Sequence, residues 1–376
     1  MADSVIEIQE KTLKLTNLDK VLYPATGFTK RQVIDYYARI APLLLPHLKG
    51  RALTLKRYPN GVDSKFFYEK NAPQHRPDWV KTVPVWSGGN NRTMYYVEAA
   101  DLPTLIWLAN LAAIELHPSL ALAKDVSCPT MMVFDLDPGP PANIVQCCQV
   151  AFWLREIFEH FNLQSFPKTS GSKGLQIYVP LNTRTSYDVT KPFARALAQL
   201  LEQQHPDAVV SDMKKSIRTG KVFVDWSQND EHKTTVAVYS LRARERPTVS
   251  TPVKWEEVER TFKKKHAGLL LFEAPQAVAR AEKMGDLFEP VLKLKQKLPD
   301  VRGAGVGEGA AKASEPERIQ LAAQAEARPN PAARVQPKKA ATKKTGNKAA
   351  NKFKRKPVAK DGKKPSLTAA KSRRRV

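Results

Sequence analysis

An apolar run that ends in two carboxylates, Val133-Phe134-Asp135-Leu136-Asp137-Pro138-Gly139, is the feature that most constrains the fold of this chain. Side chains alternate between the faces of a β-strand, so the run predicts a strand on which Asp135 and Asp137 share one face and Leu136 points into a core. Two neighbouring carboxylates repel each other unless a cation lies between them, and oxygen ligands suit Mg²⁺ or Mn²⁺. Taken alone, the motif fits a solvated strand end equally well.

Helical and strand-like periodicities alternate along the chain, which predicts a mixed α/β or α+β core. The helices are predicted at 29–45, 101–114, 143–161, 188–204 and 254–264. The strands are predicted at 52–58, 64–68, 131–136, 175–180, 221–226 and 234–239.

Positive charge is concentrated at the C-terminal end. The net charge is +24, and residues 331–376 contain seventeen Lys or Arg but one acid, Asp361. Residues 303–376 contain a single aromatic residue, Phe353, so they lack the apolar surface that folding requires. We therefore predict a folded domain over 1–298 and a disordered Lys/Ala/Pro-rich basic tail over 299–376. Such a tail either adds salt-sensitive nucleic-acid affinity or only solvates the terminus.

The cysteine content excludes some classes of protein. Cys128, Cys147 and Cys148 form no Cys-x-x-Cys pair, which argues against a disulfide framework or a zinc site and suits a reducing compartment. We expect no signal peptide at the N-terminus and no apolar run long enough to span a membrane. These features predict a cytoplasmic protein.

Two further motifs point to phosphate chemistry. In Lys168-Thr169-Ser170-Gly171-Ser172-Lys173-Gly174, glycines allow a close backbone approach, while hydroxyls and an ammonium offer donors to phosphate oxygens. The spacing is not that of a Walker A loop, and a solvated turn is the alternative. If extended, Arg242, Arg244 and Arg246 would share one face, either as a phosphate-binding rail or as a charged edge strand.

A third acidic residue, Asp225, ends the apolar run Val222-Phe223-Val224. It joins Asp135 and Asp137 only if the sheet brings the two strands together, which the sequence alone does not determine.

Together these motifs resemble the polymerase domain of bacterial DNA ligase D, a member of the archaeo-eukaryotic primase superfamily. The resemblance covers roughly residues 10–295 and includes Leu18-Asp19-Lys20-Val21-Leu22-Tyr23-Pro24, Phe66-Phe67-Tyr68-Glu69-Lys70 and the stretch from Trp107 to Pro118. It implies an α+β primase/polymerase fold with an RRM-like catalytic sheet as the domain at 1–298.

The resemblance also implies roles for particular residues. The catalytic, metal-binding residues would be Asp135, Asp137 and Asp225, with two Mn²⁺ or Mg²⁺ ions. The nucleotide-binding residues would be His117, Ser170, Lys173 and Arg242. The DNA-binding residues would be Lys20 and Lys30, on a downstream 5′-phosphate, and Phe66 and Phe67, near the template. Because neighbours on a strand face opposite ways, at least one of the two phenylalanines is expected in the core.

The function implied is that of a DNA-directed nucleotidyltransferase, a polymerase or primase that adds ribo- or deoxyribonucleotides (NTP or dNTP) to primer 3′ ends. Its place would be at gaps or broken ends during non-homologous end joining, with a Ku-type end-binding protein and a separate DNA ligase as partners. The alternatives are a gap-filling or primer-synthesising enzyme of another pathway, and a non-catalytic DNA-end scaffold.

Two departures from the family pattern stand out. Gln176 occupies a position where many primases carry histidine. The chain also has no room for an adenylating ligase module, so we expect a stand-alone, nucleoid-associated bacterial form.

Overall fold

The computed structural model describes residues 4–299, together with Pro316 and Ile319. Within this part there are fourteen strands and seven α-helices. The strands are β1 (Ser4–Ile8), β2 (Lys11–Leu15), β3 (Val21–Tyr23), β4 (Phe28–Thr29), β5 (Leu53–Arg57), β6 (Phe67–Glu69), β7 (Thr82–Ser87), β8 (Arg92–Val97), β9 (Ala113–Pro118), β10 (Met131–Pro138), β11 (Phe166–Thr169), β12 (Leu175–Pro180), β13 (Val209–Val210) and β14 (Val222–Asp225). The helices are α1 (Lys30–Leu48), α2 (Leu102–Asn110), α3 (Ile144–His160), α4 (Tyr187–Gln204), α5 (Trp255–Lys264), α6 (Ala274–Met284) and α7 (Glu289–Lys293).

One five-stranded sheet, which we call the catalytic sheet, has the order β11-β12-β10-β14-β13. Its chain order, β10-α3-β11-β12-α4-β14 with the short β13 at the edge, is the βαββαβ pattern of an RRM-like fold. Strand β10 is central and pairs antiparallel with both β12 and β14. A core that includes Phe134, Leu154 and Leu197 fills the space between this sheet and helices α3 and α4. The predicted α+β class is therefore confirmed.

A second sheet has the order β6-β5-β8-β7, with β9 also paired to β5. Its core is continuous with α1 and α2 and includes Tyr37, Leu53 and Ile114. Hydrogen bonds from Leu241 N to Tyr37 Oη and from Tyr23 Oη to Arg242 O join this region to the segment that follows β14. We call this contact zone the seam; it brings β9 close to the catalytic sheet.

The predicted helix starts carry the expected caps. Thr29 and Asn143 each form a capping box with the glutamine three residues later, and Asp101 accepts a hydrogen bond from Thr104 N. The helix predicted at 101–114 is shorter than expected, because Ala112 adopts φ +55° and the chain turns into strand β9. The strand predicted at 234–239 is not formed, and only Thr234 makes an isolated bridge, to Ser119.

The predicted tail at 299–376 lies outside the described residues except for Pro299, Pro316 and Ile319. Ile319 is fully buried in the same apolar cluster as the catalytic sheet. The first compact unit of the chain accordingly ends at Pro329. Among the described helices, none has the length and hydropathy needed to cross a bilayer.

Candidate active site

The two aspartates of β10 lie at the centre of the catalytic sheet. Asp135 is the direct cross-strand partner of Asp225 on β14, and Asp137 lies two residues further along the same face. Leu136 between them is fully buried. The sheet thus brings together the three predicted carboxylates. The sequence alone did not determine whether β10 and β14 are paired in this way.

Asp135 has an unusual electrostatic environment. Its Oδ1 atom is buried and has no hydrogen-bond partner. Burial, and then repulsion from Asp137 and Asp225, raise the pKa of this carboxyl to about 7. Burial and Asp225 likewise raise the pKa of Asp137. A buried, unpaired carboxylate oxygen among like charges fits a divalent cation bound by oxygen ligands.

Asp225 is held by its own turn. Its Oδ1 accepts hydrogen bonds from the Ser227 amide at 2.9 Å and the Ser227 hydroxyl at 2.6 Å, and its Oδ2 accepts one from Gln228 Nε2 at 2.9 Å. Within residues 4–299, no three His, Cys, Asp or Glu side chains are preassembled at metal-ligand spacing. Asp225 would therefore use its remaining lone pairs, or exchange some of these hydrogen bonds, to share an ion with Asp135.

A buried lysine, Lys168, lies two strands away from Asp135 in the catalytic sheet, in register with Gln176. Lys168 is fully buried, and its Nζ donates to Gln176 Oε1 at 2.5 Å and to Ser250 Oγ at 2.7 Å. Gln176 is the partner of Asp135 on the β12 side; its Nε2 donates to Thr235 Oγ1 at 3.3 Å, and its amide lowers the pKa of Asp135 against the larger effect of burial. Burial lowers the pKa of Lys168 well below its ordinary value, whereas attraction to Asp135 opposes this shift. Gln176, the departure from the family pattern, thus links this lysine to the carboxylates.

The predicted phosphate loop is the connection between β11 and β12. The amide of Ser170 donates to Gly174 O at 3.0 Å, while its hydroxyl accepts from the amides of Ser172 and Gly174. Lys173 is exposed, and its charge lowers the pKa of Asp137, against the larger effects of burial and Asp225. The loop is therefore closed by its own serine and presents a lysine beside the carboxylates.

Two glycines are required by close packing of this loop. A Cβ on Gly174 would lie 2.0 Å from the carbonyl oxygen of Leu136. Gly171 adopts φ +66°, and a Cβ there would lie 2.7 Å from Arg242 Cγ. Since neither contact leaves room for a side chain, the glycines allow the loop to pack against β10 and against Arg242.

Arg242 connects the loop to the seam. Its Nη1 donates to the carbonyl of Ser170, and its Nε lies 3.4 Å from Glu115 Oε2 without hydrogen-bond geometry. The predicted arginine rail is wrong, because the chain bends after Arg242. Arg244 is exposed, and Arg246 pairs with Glu273 at 2.5 Å.

The second wall of the candidate site comes from the second sheet, which reaches the phosphate loop through Arg242. His117 on β9 is largely buried, and its Nε2 lies 2.9 Å from Glu115 Oε2. Lys56 on β5 is the cross-strand partner of Glu115. Sequence reasoning found His117 but missed Glu115 and Lys56, because the segment after the predicted helix was not recognised as strand β9, which pairs Glu115 with Lys56. The alternation Glu115-Leu116-His117 was the signal that could have placed both polar residues on one face.

The phenylalanine pair departs from expectation. Phe66 is 47% and Phe67 is 43% exposed, so neither lies in the core. They do face opposite ways: Lys56 Nζ lies 4.1 Å from the Phe66 ring centre, and Arg57 Cζ lies 5.0 Å from that of Phe67. The prediction of a buried member was wrong because β6 is a three-residue edge strand with both faces accessible.

The two lysines assigned to a 5′-phosphate differ in environment. Lys20 is partly exposed and donates to Asn60 Oδ1 at 2.8 Å. Lys30 is buried and donates to Thr16 O at 2.6 Å. Their backbones are joined by a hydrogen bond from Lys30 N to Lys20 O.

The model of one protein family, described as LigD, primase-polymerase domain, matches residues 29–288. The chain belongs to the LigD primase-polymerase family. A Mycolicibacterium smegmatis protein named multifunctional non-homologous end joining protein LigD is 41% identical over 281 residues, which are 74% of this chain and 36% of that relative. A Bacillus subtilis protein named bifunctional non-homologous end joining protein LigD is 32% identical over 277 residues, 73% of this chain and 43% of the relative.

A solved structure agrees with this family assignment. The polymerase domain from Mycobacterium tuberculosis ligase D, in complex with DNA, aligns with a TM-score of 0.69 and 39% identity. The alignment covers 76% of this chain and 99% of that domain. The resemblance stated from the motifs is confirmed. The chain nevertheless spans well under half the length of the LigD relatives described above.

Proposed function

We propose that this chain is a DNA-directed nucleotidyltransferase that adds nucleotides to primer 3′ ends at gaps or broken ends, in non-homologous end joining. The observation that carries the proposal is the cross-strand pairing of Asp135 with Asp225, beside a buried carboxylate oxygen that lacks a partner. The printed names of the relatives, which refer to non-homologous end joining, support the pathway.

The nucleotide would lie between the two walls of the site. On one side, Ser170, Lys173 and Arg242 would bind and orient the triphosphate through charge-assisted hydrogen bonds. On the other, His117 would contact the nucleotide from β9. This arrangement contributes mainly by positioning the α-phosphate for attack by the primer 3′-hydroxyl, with pyrophosphate as the leaving group.

Asp135, Asp137 and Asp225 would hold two Mn²⁺ or Mg²⁺ ions. When bound, such ions supply Lewis-acid activation of the hydroxyl and neutralise charge on the phosphates. Neighbouring residues would keep these carboxylates in place: Gln176 is the cross-strand partner of Asp135, and Ser227 and Gln228 donate hydrogen bonds to Asp225.

We propose that DNA is contacted by the exposed aromatic and basic residues beside the site. Phe66 and Phe67 have the exposure that stacking on template bases requires. Lys20 would contact a downstream 5′-phosphate. Lys30 would stabilise the position of Lys20, since the Lys30 ammonium already donates a hydrogen bond to the carbonyl of Thr16. The basic residues after 330 would add non-specific DNA affinity. A Ku-type protein and a separate ligase are the proposed partners.

The test is nucleotide addition on a gapped duplex, with and without a downstream 5′-phosphate, using rNTPs or dNTPs and Mn²⁺ or Mg²⁺. We expect template-directed addition that the phosphate stimulates. Addition indifferent to the phosphate would favour a general primase-polymerase of another pathway. DNA binding without addition under any of these conditions would favour the non-catalytic scaffold and reject the proposal.

A further inference from the structure

Glu115 is a buried carboxylate that holds three basic side chains at the seam. It is 2% exposed and lies on β9. His117 Nε2 lies 2.9 Å from its Oε2, Arg242 Nε lies 3.4 Å from the same oxygen, and Lys56 Nζ lies 3.9 Å from its Oε1. One acid therefore contacts basic groups from β5, from β9 and from the segment after β14.

The backbone reinforces this arrangement. The amide of Ala243 donates to Glu115 Oε1 at 3.0 Å, which fixes the residue next to Arg242. The guanidinium of Arg242 in turn reaches the carbonyl of Ser170 in the phosphate loop. Glu115 is thus one of the links, through Arg242, between the second sheet and the phosphate loop.

The contact with His117 also selects a tautomer. A carboxylate only accepts hydrogen bonds, so the histidine Nε2 must carry the proton that it shares with Glu115. In the neutral ring this leaves Nδ1 as the nitrogen available to a ligand. Burial lowers the pKa of His117, in agreement with a neutral ring near pH 7.

We propose that Glu115 is a positioning residue that sets nucleotide affinity by fixing the His117 tautomer and the Arg242 guanidinium. This inference rests on the proposed function of the site. A purely electrostatic role would act in the opposite direction, because removing a negative charge beside a triphosphate pocket strengthens attraction for the triphosphate anion. The sign of the effect therefore distinguishes positioning from simple charge.

The experiment is steady-state nucleotide addition by Glu115→Gln, which keeps the shape and one acceptor oxygen but loses the charge. We expect the nucleotide KM to rise by about 10-fold or more, the scale of a lost charge-assisted hydrogen bond. In an Arg242→Lys background the same substitution should have a much smaller effect, since the two residues act as one unit. An unchanged or lower KM in Glu115→Gln would overturn the inference.

Glu257→Gln is the control, because Glu257 on α5 is a partly buried carboxylate, with a side chain 16% exposed, whose ion-pair partner, Arg280, lies outside the site. It should lower the melting temperature without changing the nucleotide KM.

If Glu115→Gln does not fold, ¹⁵N-histidine NMR of the wild-type chain supplies the readout, with the His117 signal assigned by its loss in His117→Gln. An Nε2-protonated neutral ring is expected, and an Nδ1-protonated ring would overturn the inference. If the wild-type protein neither binds nor adds nucleotides, the proposed function is rejected together with the inference. If the wild type is active and Glu115→Gln has an unchanged nucleotide KM, only the inference is rejected.

Discussion

Asp135 and Asp225 are direct partners across the β10–β14 ladder. Cross-strand partners have Cβ atoms about 4.5–5.5 Å apart, so two ionised carboxylates in this register repel each other strongly. The fold places them together although 89 residues separate them in the chain. Such a pairing destabilises the ionised apoprotein and favours a bound cation.

Replacing Asp137 with Ala is expected to abolish nucleotide addition while DNA binding survives. The residue is the exposed end of the carboxylate row, so its loss removes charge without creating a cavity. We expect a decrease in kcat of at least about 100-fold, the scale of losing one preorganised electrostatic contact in an active site. Primer-extension kinetics and a DNA-binding assay would measure both effects, with Asp188→Asn on the surface of α4 as the control. Near-normal synthesis by Asp137→Ala would contradict the assignment.

The stability of the metal-free protein should depend on pH through Asp135. Its pKa is about 7 in the fold, whereas an unfolded aspartate titrates near about 3.9. The folded state therefore binds more protons in this window, and the free energy of unfolding falls as pH rises from about 4 to about 7. Thermal melts should show this decline, and Asp135→Asn should flatten it. Added Mn²⁺ should stabilise the protein more at pH 7.5, where Asp135 is mostly ionised, than at pH 5.5, where it is mostly protonated. Equal stabilisation at the two pH values would count against a carboxylate metal site.

Gly174→Ala should displace the phosphate loop. The new Cβ would meet the carbonyl oxygen of Leu136 at 2.0 Å, and backbone atoms on both sides must shift. Overpacking of this kind costs about 1–3 kcal/mol of stability. We expect a lower melting temperature and a raised nucleotide KM. Gly89→Ala is the control, because a Cβ there meets no atom within 4 Å. A Gly174→Ala protein with wild-type KM would show that the loop position is unimportant for nucleotide binding.

Lys20 and Lys30 should respond differently to alanine substitution. Lys20 is partly exposed, so Lys20→Ala should reduce stimulation by a downstream 5′-phosphate and leave the melting temperature unchanged. Lys30 is buried against Thr16, so Lys30→Ala should lower the melting temperature as well. Differential scanning fluorimetry and gap-filling assays would separate the two effects. Identical behaviour of the two variants would argue against a surface contact by Lys20.

Removing residues 330–376 should weaken DNA binding and flatten its salt dependence. The deletion takes away the seventeen basic residues of 331–376, each able to release counterions from DNA. A cut after Pro329 is preferable to one near residue 300, because it keeps the buried Ile319. Affinity measured at several salt concentrations is the readout. If the slope of log affinity against log salt concentration is unchanged, residues 330–376 take no part in DNA binding.

The catalytic sheet was predictable because its signals are local. The alternation around Leu136 placed Asp135 and Asp137 on one face, and the caps at Thr29 and Asn143 marked two helix starts. The connection of Asp225 to this pair could not be derived, since register between distant strands depends on packing rather than on local pattern.

The second wall of the site was harder to predict. The apolar run from Leu102 to Ile114 carries no clear period, so the helix was predicted to extend to residue 114, past the start of β9. The actual break is at Ala112, whose carbonyl accepts from Tyr58 N at 2.9 Å and whose positive φ is a tertiary effect. Phe66 and Phe67 were misjudged for a similar reason, because only the sheet order shows that β6 is an edge.

The seam has a consequence for how this protein loses activity. The carboxylates belong to one sheet and His117 to the other, and hydrogen bonds such as Tyr23 Oη to Arg242 O join the two. The two sheets also share one apolar cluster, which includes Val133 of β10 and Leu53 of β5. A separation of the sheets would therefore break this shared core and the proposed nucleotide pocket in one event, so loss of activity on heating is expected to coincide with cooperative melting.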